Sequence, residues 1–168
     1  MSETDDTNGS SDPAEKEREL REFYGEMTRL IERLHRRYLE VVRIQLEALG
    51  IRDINSVQAL ILVTVADEEM LVRDLIQRCY YLGSSTNYNI KKLVDCEYLE
   101  QQRSSHDRRS VRIRLSNQGR ELYTRLRELE ARHAEEVAED FRLAEGIDHV
   151  RKMLRRVERV WADYIDFG

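Results

Sequence analysis

The stretch that decides the fold is LIQRCYYLGSSTNYNIKKLVDCEYLEQQRSSHDRRSVRIRLS, residues 75–116. Its apolar residues first follow the spacing of a short helix, which a Gly-Ser-Ser segment at residues 83–85 interrupts. The serine hydroxyls can cap the helix that follows. In that second helix, small or apolar residues recur at i, i+4, i+7 and i+8, so they share one face. These positions are Thr86, Ile90, Leu93 and Val94.

From Tyr98 onwards the pattern changes from the period of a helix to the period of a strand. Apolar residues then alternate with Arg112 and Arg114, which is typical of a strand with one buried face. This strand is expected to pair with residues 98–103, and residues 70–72 are candidates for a short third strand. The predicted fold class is therefore mainly α with a small β-hairpin wing (α+β). A helix, a turn, a second helix and a hairpin form a winged helix-turn-helix, a fold whose chemistry is DNA binding.

The stretch resembles the winged-helix core of the MarR family of bacterial transcription regulators. Residues 107–110, Asp-Arg-Arg-Ser, match that family's wing signature of Asp, any residue, Arg and Ser. Residues 115–119, Leu-Ser-Asn-Gln-Gly, stand where the family has Leu-Thr-x-x-Gly. The resemblance implies that Asp107 stabilises the wing through a charge-assisted contact with Arg109. The family usually has Gly at the end of the second motif helix, where this chain has Glu97, so a different helix cap is expected here.

The flanks of the motif predict the organisation of the remaining chain. Residues 1–13 are rich in Ser, Asp and Thr and are expected to form a disordered acidic tail. Residues 14–50 predict one long helix with a sustained apolar seam, and residues 51–116 predict the winged DNA-binding core. Residues 117–168 predict two amphipathic helices that Gly146 separates. Because these seams exceed what a small winged domain needs, both flanks are interpreted as dimerisation helices of a homodimer. The seam of the first helix consists of Leu20, Tyr24, Met27, Ile31, Leu34, Tyr38 and Val41.

The second motif helix is expected to be a recognition helix that enters the major groove of double-stranded DNA. Asn87 is the candidate for base reading, because its amide can bond the edge of adenine at two points. Ser84, Ser85 and Tyr88 are candidates for phosphate contacts, and Lys91 adds positive charge. The alternative is an ordinary solvated face, although Tyr and Asn are unusual choices for solubility alone.

The predicted wing carries five Arg and one Asp between Gln101 and Arg114, a local charge of +4, whereas the whole chain carries −5. The other residues therefore carry −9, the difference between these two values. One basic edge on an otherwise acidic chain favours a fixed pose on a polyanion. Arg108 or Arg109 is expected to enter the minor groove of DNA. The flanking arginines are expected to contact phosphates, which the planar guanidinium group fits. They are Arg103, Arg112 and Arg114.

In MarR-type proteins a ligand pocket often lies between the dimerising helices and the winged core. The resemblance therefore implies a small-molecule effector, and it makes Tyr24, His35 and Tyr38 candidates for lining its pocket. The alternative is that these rings belong to the core or to the dimer interface, since they lie on or beside the apolar seam of the first helix.

Other kinds of chemistry find little support in the sequence. Cys79 and Cys96 lack C-x-x-C or metal-ligand spacing and are interpreted as reduced thiols, with redox sensing as the alternative. None of the four His residues has a second His or Cys at i+3 or i+4, so neither a metal nor a cofactor is expected. No constellation of nucleophile, base or metal ligands points to an enzyme. The chain shows no apolar run long enough to span a membrane and no signal peptide, which predicts a cytoplasmic protein without membrane contact.

Three hypotheses follow from these features. The first is a homodimer that binds a pseudo-palindromic operator and is released by a small molecule. The second keeps DNA binding but places the signal in oxidation of Cys79 or Cys96. The third, from a different class, is a protein-interaction module whose winged fold does not contact DNA.

Overall fold

A computed structural model describes residues 12–79, 83–103, 111–138 and 141–167. It divides into two compact units, Met1–Val57 and Gln58–Gly168. Among the described residues, no helix is both long and apolar enough to cross a membrane.

The first unit contains one long helix, α1, which spans Pro13–Ala48. Asp12 caps its start, because the Oδ1 of this residue accepts a hydrogen bond of 3.2 Å from the backbone N–H of Ala14. The helix ends at Ala48, two residues before Gly50, which takes a positive φ of 73°. The backbone N–H of Ile51 reaches back to the carbonyl of Leu46 at 2.9 Å, which closes the end of the helix.

The surface of α1 is rich in charge, and much of its apolar seam is exposed. Exposed pairs such as Arg21–Glu17, at 2.6 Å, join charges one turn apart. Such a pair stabilises a helix by only about 0.3–0.5 kcal/mol, so ion pairs do not account for α1. Val42 and Leu46 are buried near its C-terminal end. Large apolar side chains towards its N-terminal end are exposed, among them Leu20, Phe23, Tyr24, Leu30 and Leu34.

The second unit is the winged-helix core with two helices after it. Helix α2 spans Ser56–Val65 and lies almost wholly in this unit, and a short strand, β1, follows at Met70–Leu71. The helix-turn-helix consists of α3 at Val72–Cys79 and α4 at Gly83–Asp95. Next come β2 at Leu99–Arg103, β3 at Val111–Leu115, α5 at Asn117–Ala138 and α6 at Phe141–Phe167. The predicted fold class, mainly α with a small β wing, is confirmed.

The three strands form one antiparallel sheet in the order β1-β3-β2. The predicted pairing of the last two strands is confirmed, with Leu99 opposite Leu115 and Glu100 opposite Arg114. The predicted third strand is also present, and its Met70 lies opposite Ile113. Alternate residues of β3 are buried, so one face of the sheet belongs to the core and the other faces solvent. The most deeply buried large side chains of this unit are Ile61, Leu62, Leu75, Leu93, Ile113 and Leu115.

Helix α4 ends in the left-handed backbone conformation that usually requires glycine, although the residue there is Glu97, with a φ of 62°. The backbone N–H of Glu97 bonds the carbonyl of Val94 at 3.0 Å, and the N–H of Tyr98 bonds that of Leu93 at 2.9 Å. This pair of bonds is a Schellman cap. The expectation of a different cap was therefore wrong. The chain keeps the geometry and accepts a strain of about 1–2 kcal/mol for a side chain in this region.

Gly119, in the first turn of α5, lies very close to the backbone at the start of the sheet. Its backbone N–H donates a hydrogen bond of 3.0 Å to the Oγ of Ser116, and the N–H of Ser116 donates to the carbonyl of Tyr98 at 3.1 Å. A Cβ on Gly119 would lie 2.0 Å from that same carbonyl oxygen. Only glycine fits so close to another backbone, which explains why this position of the Leu-Ser-Asn-Gln-Gly segment has no side chain.

The predicted break at Gly146 was wrong, because α6 runs from Phe141 through Gly146 to Phe167. Helix α5 ends earlier, at Ala138, so Phe141 belongs to α6 and not, as a break at Gly146 would require, to α5. A glycine inside a helix costs only about 1 kcal/mol relative to alanine. In a helix of 27 residues this single cost does not prevent the helix from continuing to Phe167.

Candidate nucleic-acid interface

Helix α4 presents a polar outward face that contains most of the predicted recognition residues. Ser85, Asn87, Tyr88 and Lys91 are exposed, and Tyr88 retains 68% of its accessible surface. Lys91 lies four positions after Asn87 and three after Tyr88, so the three side chains project from one side of the helix. The backbone of Ser84 lies in the first turn of α4, whereas its side chain is outside the described part of the structure.

The opposite face of α4 is buried and mostly matches the predicted apolar positions. Thr86, Ile90 and Leu93 are buried, and Val94 is half-buried. The same face also buries Asn89, which the sequence reading did not single out. The signal was present, because residue 89 falls on the face shared by residues 86, 90 and 93.

Asn89 is paired with a second buried amide. The Nε2 of Gln58, on α2, donates a hydrogen bond of 3.1 Å to the Oδ1 of Asn89, 31 residues further along the chain. Only 4% of the surface of Gln58 and 7% of that of Asn89 are accessible to solvent. In the described ranges, no buried side-chain nitrogen or oxygen lacks a hydrogen-bond partner. The buried side of α4 is therefore held by a directional polar contact as well as by apolar packing.

The wing is described along its strands but not at its tip. Arg103 is the last residue of β2 and pairs with Val111 of β3, and its side chain lies outside the described residues. Asp107, Arg108 and Arg109 also lie outside them. Their expected roles, in stabilising the wing and in entering the minor groove, stay predictions.

The remaining two wing arginines both have carboxylate partners. The Nη2 of Arg114 lies 2.6 Å from the Oε2 of Glu100, directly across the sheet, and the Nη1 of Arg112 lies 3.3 Å from the Oε1 of Glu69. The stem of the hairpin is therefore closer to neutral than the local charge of +4 indicates. Both pairs are exposed, and such pairs contribute only about 0.2–1 kcal/mol, so a phosphate can compete for either guanidinium group.

The turn after α2 concentrates acidic residues against arginines from three different elements. Asp67, Glu68 and Glu69 lie 3.8, 3.2 and 3.3 Å from Arg120 on α5, Arg78 on α3 and Arg112 on β3. These contacts place negative charge beside the sheet and lower the positive potential of the β3 stem.

Cys79 differs from the thiol of a typical redox sensor. Neither Cys79 nor Cys96 forms a disulfide, and both are half-buried. Burial raises the pKa of the Cys79 thiol, and a hydrogen bond with Thr64 opposes this shift only in part. A raised pKa lowers the thiolate fraction at neutral pH and therefore the reactivity of Cys79. Within the residues that the structure describes, no group of three His, Cys, Asp or Glu side chains could hold a metal ion.

The candidate pocket residues all lie on α1. Tyr24 and His35 are exposed, and Tyr38 is half-buried. Their expected role in lining an effector pocket stays a prediction.

Comparisons with known proteins agree with this geometry. Residues 54–119 match a family described as a winged helix DNA-binding domain. The chain is 33% identical over 145 residues to ExpG of Rhizobium meliloti (strain 1021), an activator of exopolysaccharide II synthesis at the transcriptional level; the match covers 86% of this chain and 75% of ExpG.

Solved structures show the same fold. A MarR transcriptional regulator from Methanosarcina mazei Go1 is similar with a TM-score of 0.69 and 24% identity, covering 83% of this chain and 99% of that one. FabT of Streptococcus pneumoniae, in a crystal structure with DNA, is similar with a TM-score of 0.71 and 14% identity, covering 82% and 99%. ExpG and the protein from Methanosarcina mazei are transcriptional regulators, which are not enzymes.

Proposed function

The chain belongs to the MarR family of winged helix-turn-helix transcriptional regulators, and we propose that it acts as a homodimer that binds a pseudo-palindromic operator and is released by a small-molecule effector. The observation that carries the DNA-binding part is the outward face of α4. There, Asn87, Tyr88 and Lys91 are exposed together on a helix whose other face is fixed in the core.

On this proposal α4 enters the major groove. Its 13 residues make a rod about 20 Å long, which the groove can admit. Asn87 reads a base edge, because an amide can donate to and accept from adenine at the same time. Ser84, Ser85 and Tyr88 bond phosphates, and Lys91 supplies charge that holds the helix against the backbone.

The wing completes the contact. Arg108 or Arg109 enters the minor groove, and Asp107 orders the tip by pairing with Arg109. Arg103, Arg112 and Arg114 meet phosphates on either side of it. Arg112 and Arg114 must exchange a carboxylate partner for a phosphate to do this, which the low stability of exposed ion pairs allows.

The homodimer is proposed from apolar surface that each unit leaves exposed. On α1 this surface includes Leu20, with 66% of its area accessible, and Leu34. On α6 it includes Leu154, Ile165 and Phe167, the last with 88% of its area accessible. Sustained apolar seams of this kind mark interaction sites. A second copy would cover both helices, and its two-fold axis would place two recognition helices about 34 Å apart, one turn of DNA.

Effector release is proposed as a shift between two dimer geometries. A ligand that binds better to a dimer with mismatched helix spacing would lower the affinity for the operator. Tyr24, His35 and Tyr38 on α1 remain the candidate contacts. The redox alternative finds less support at Cys79, whose raised pKa disfavours the thiolate. If replacement of both Cys79 and Cys96 by Ser left peroxide release intact, the redox alternative would be eliminated.

The test is a binding isotherm at two salt concentrations against the DNA upstream of the protein's own gene, followed by selection from a genomic library. The Arg108→Ala/Arg109→Ala variant removes two wing charges. Arg125→Ala/Arg127→Ala is the matched control, because it removes the same charge from α5, where both side chains are exposed. We expect salt-sensitive binding that the wing variant loses and the control keeps.

Equal losses in both variants would reduce the interaction to general charge attraction. Failure of the wild type to select any sequence would favour the protein-interaction module instead. Sedimentation equilibrium tests the homodimer separately. Leu34→Glu should shift the protein towards the monomer, whereas Glu26→Gln, an exposed polar change on the same helix, should not.

A further inference from the structure

The buried amide pair between α2 and α4 has no role in the function proposed so far. Gln58 is nearly inaccessible on a helix that is otherwise almost entirely apolar, and Asn89 is nearly inaccessible on the inward face of the recognition helix. The neighbours on these faces, Ala59, Leu62, Ile90 and Leu93, are all buried. A side-chain hydrogen bond of 3.1 Å joins the two amides across this interface.

Stability alone does not explain such a pair. Burying an amide costs free energy that its hydrogen bond only offsets, and replacing both partners by apolar groups of similar shape is often neutral. What the hydrogen bond adds is direction. Apolar contacts are non-directional and tolerate small rotations of one helix against another, whereas a hydrogen bond weakens quickly with distance and angle.

Rotation of α4 matters because the base-reading side chains point away from the pair. Asn89 lies two positions from both Asn87 and Lys91, about 200° round the helix, so it holds the helix from behind. A side-chain tip lies about 5–6 Å from the helix axis, so a rotation of 15° moves it by about 1.4 Å. That displacement takes a hydrogen bond to a base edge out of range.

We propose that the Gln58–Asn89 hydrogen bond is a positioning contact that fixes the rotation of α4 and thereby sets how well the protein distinguishes its operator from other DNA. The two residues do this without contacting DNA. This inference rests on the proposed DNA-binding function and deepens it, since it assigns part of sequence discrimination to the buried side of the recognition helix.

The test replaces both amides by apolar side chains of similar size, in Gln58→Met/Asn89→Leu. The full-length protein is titrated by fluorescence anisotropy against two duplexes of 30 base pairs. One is the sequence that the wild type selects from a random pool, and the other is a scrambled duplex of the same composition. Urea denaturation reports whether the variant is as stable as the wild type.

We expect the ratio of the two affinities to fall about tenfold, because the affinity for the selected duplex falls. The affinity for the scrambled duplex and the salt dependence of binding should stay unchanged. A merely structural role would not give this result, because a smaller folded fraction lowers both affinities together. An unchanged ratio, or a proportional loss on both duplexes, would overturn the proposal.

If the double variant does not fold, the single variant Gln58→Met can be used in the same experiment. It leaves Asn89 in place and removes the Gln58 amide that donates to it, and we expect the ratio to fall about threefold. The two levels of the inference fail differently. A wild type that selects no sequence refutes DNA reading itself, whereas a wild type and variants that discriminate equally refute only the positioning role.

Discussion

Replacing Gly119 with Ala should destabilise the protein strongly, because another part of the backbone occupies the place of the added methyl group. The new Cβ would lie 2.0 Å from the carbonyl oxygen of Tyr98 and 3.0 Å from its carbonyl carbon. Carbon–oxygen contacts in proteins are about 3.3 Å or longer, so the start of α5 and the start of β2 would have to separate by about 1 Å.

The cost has two parts. Overpacking of this kind costs about 1–3 kcal/mol. The same movement pulls on two hydrogen bonds of the junction, from Ser116 N–H to Tyr98 and from Gly119 N–H to the Oγ of Ser116, at 3.1 and 3.0 Å. Each is worth about 1 kcal/mol. We expect the free energy of unfolding to fall by about 3 kcal/mol in total, a large share of the usual 5–15 kcal/mol.

Urea denaturation at one fixed protein concentration measures this loss, since the stability of a dimer depends on concentration. The matched control is Gly146→Ala, which makes the same chemical change inside α6, where no described atom beyond the chain neighbours and the nearby backbone of the helix lies within 4 Å of the new Cβ. It should stabilise the protein by about 1 kcal/mol, because alanine favours the helix. If Gly119→Ala stayed within about 0.5 kcal/mol of the wild type, the proposed close approach would be refuted.

Three further predictions follow from particular contacts. Glu97→Gly should raise the free energy of unfolding by about 0.5–1 kcal/mol, because relief of the strain at φ 62° exceeds the added entropy of the unfolded chain; a lower stability in urea would contradict it. Glu100→Gln releases Arg114 and should tighten DNA binding and steepen its salt dependence by about one charge. Glu128→Gln, which removes the same charge from a pair on α5, should do neither, and equal effects of both would refute a role for the hairpin stem. In a Cys96→Ser background, the alkylation rate of Cys79 should be low at neutral pH and reach half of its maximum above the ordinary thiol value of about 8.5, because its pKa is raised; full reactivity at pH 7 would contradict this.

The sequence carried enough information for the elements because their patterns are local. The change from helical to alternating spacing at Tyr98 located the hairpin, and the face shared by Thr86, Ile90 and Leu93 oriented α4. Both signals depend only on which residues repeat along a short stretch. Both signals can therefore be recognised without knowledge of the tertiary structure.

The errors and omissions arose where distant contacts decide the outcome. Glu97 has a low intrinsic preference for positive φ, and only the surrounding hydrogen bonds make it adopt one. Gly146 normally weakens a helix, yet α6 continues through it, because one unfavourable residue costs little in a helix of 27 residues. The pairing of Arg114 with Glu100 depends on strand register, which charge counting along the chain does not reveal.

The pairing of Gln58 with Asn89 spans 31 residues and two helices. A helical pattern can place Asn89 on the buried face, but it cannot identify the partner. That partner depends on how α2 and α4 pack, and the amides are visible as a pair only in the folded structure.

The central claim is that the outward face of α4 reads DNA bases, and a comparison of two variants on mutated operators tests it most directly. Affinities of Asn87→Ala and Lys91→Ala are measured against the selected duplex and against its single-base-pair variants. Asn87→Ala should lose about 1–3 kcal/mol of discrimination at one base pair and leave the preference at other positions intact. Lys91→Ala should instead weaken binding to all duplexes alike and reduce the salt dependence by about one charge. Uniform weakening by both variants, or no effect of either, would contradict base reading by α4.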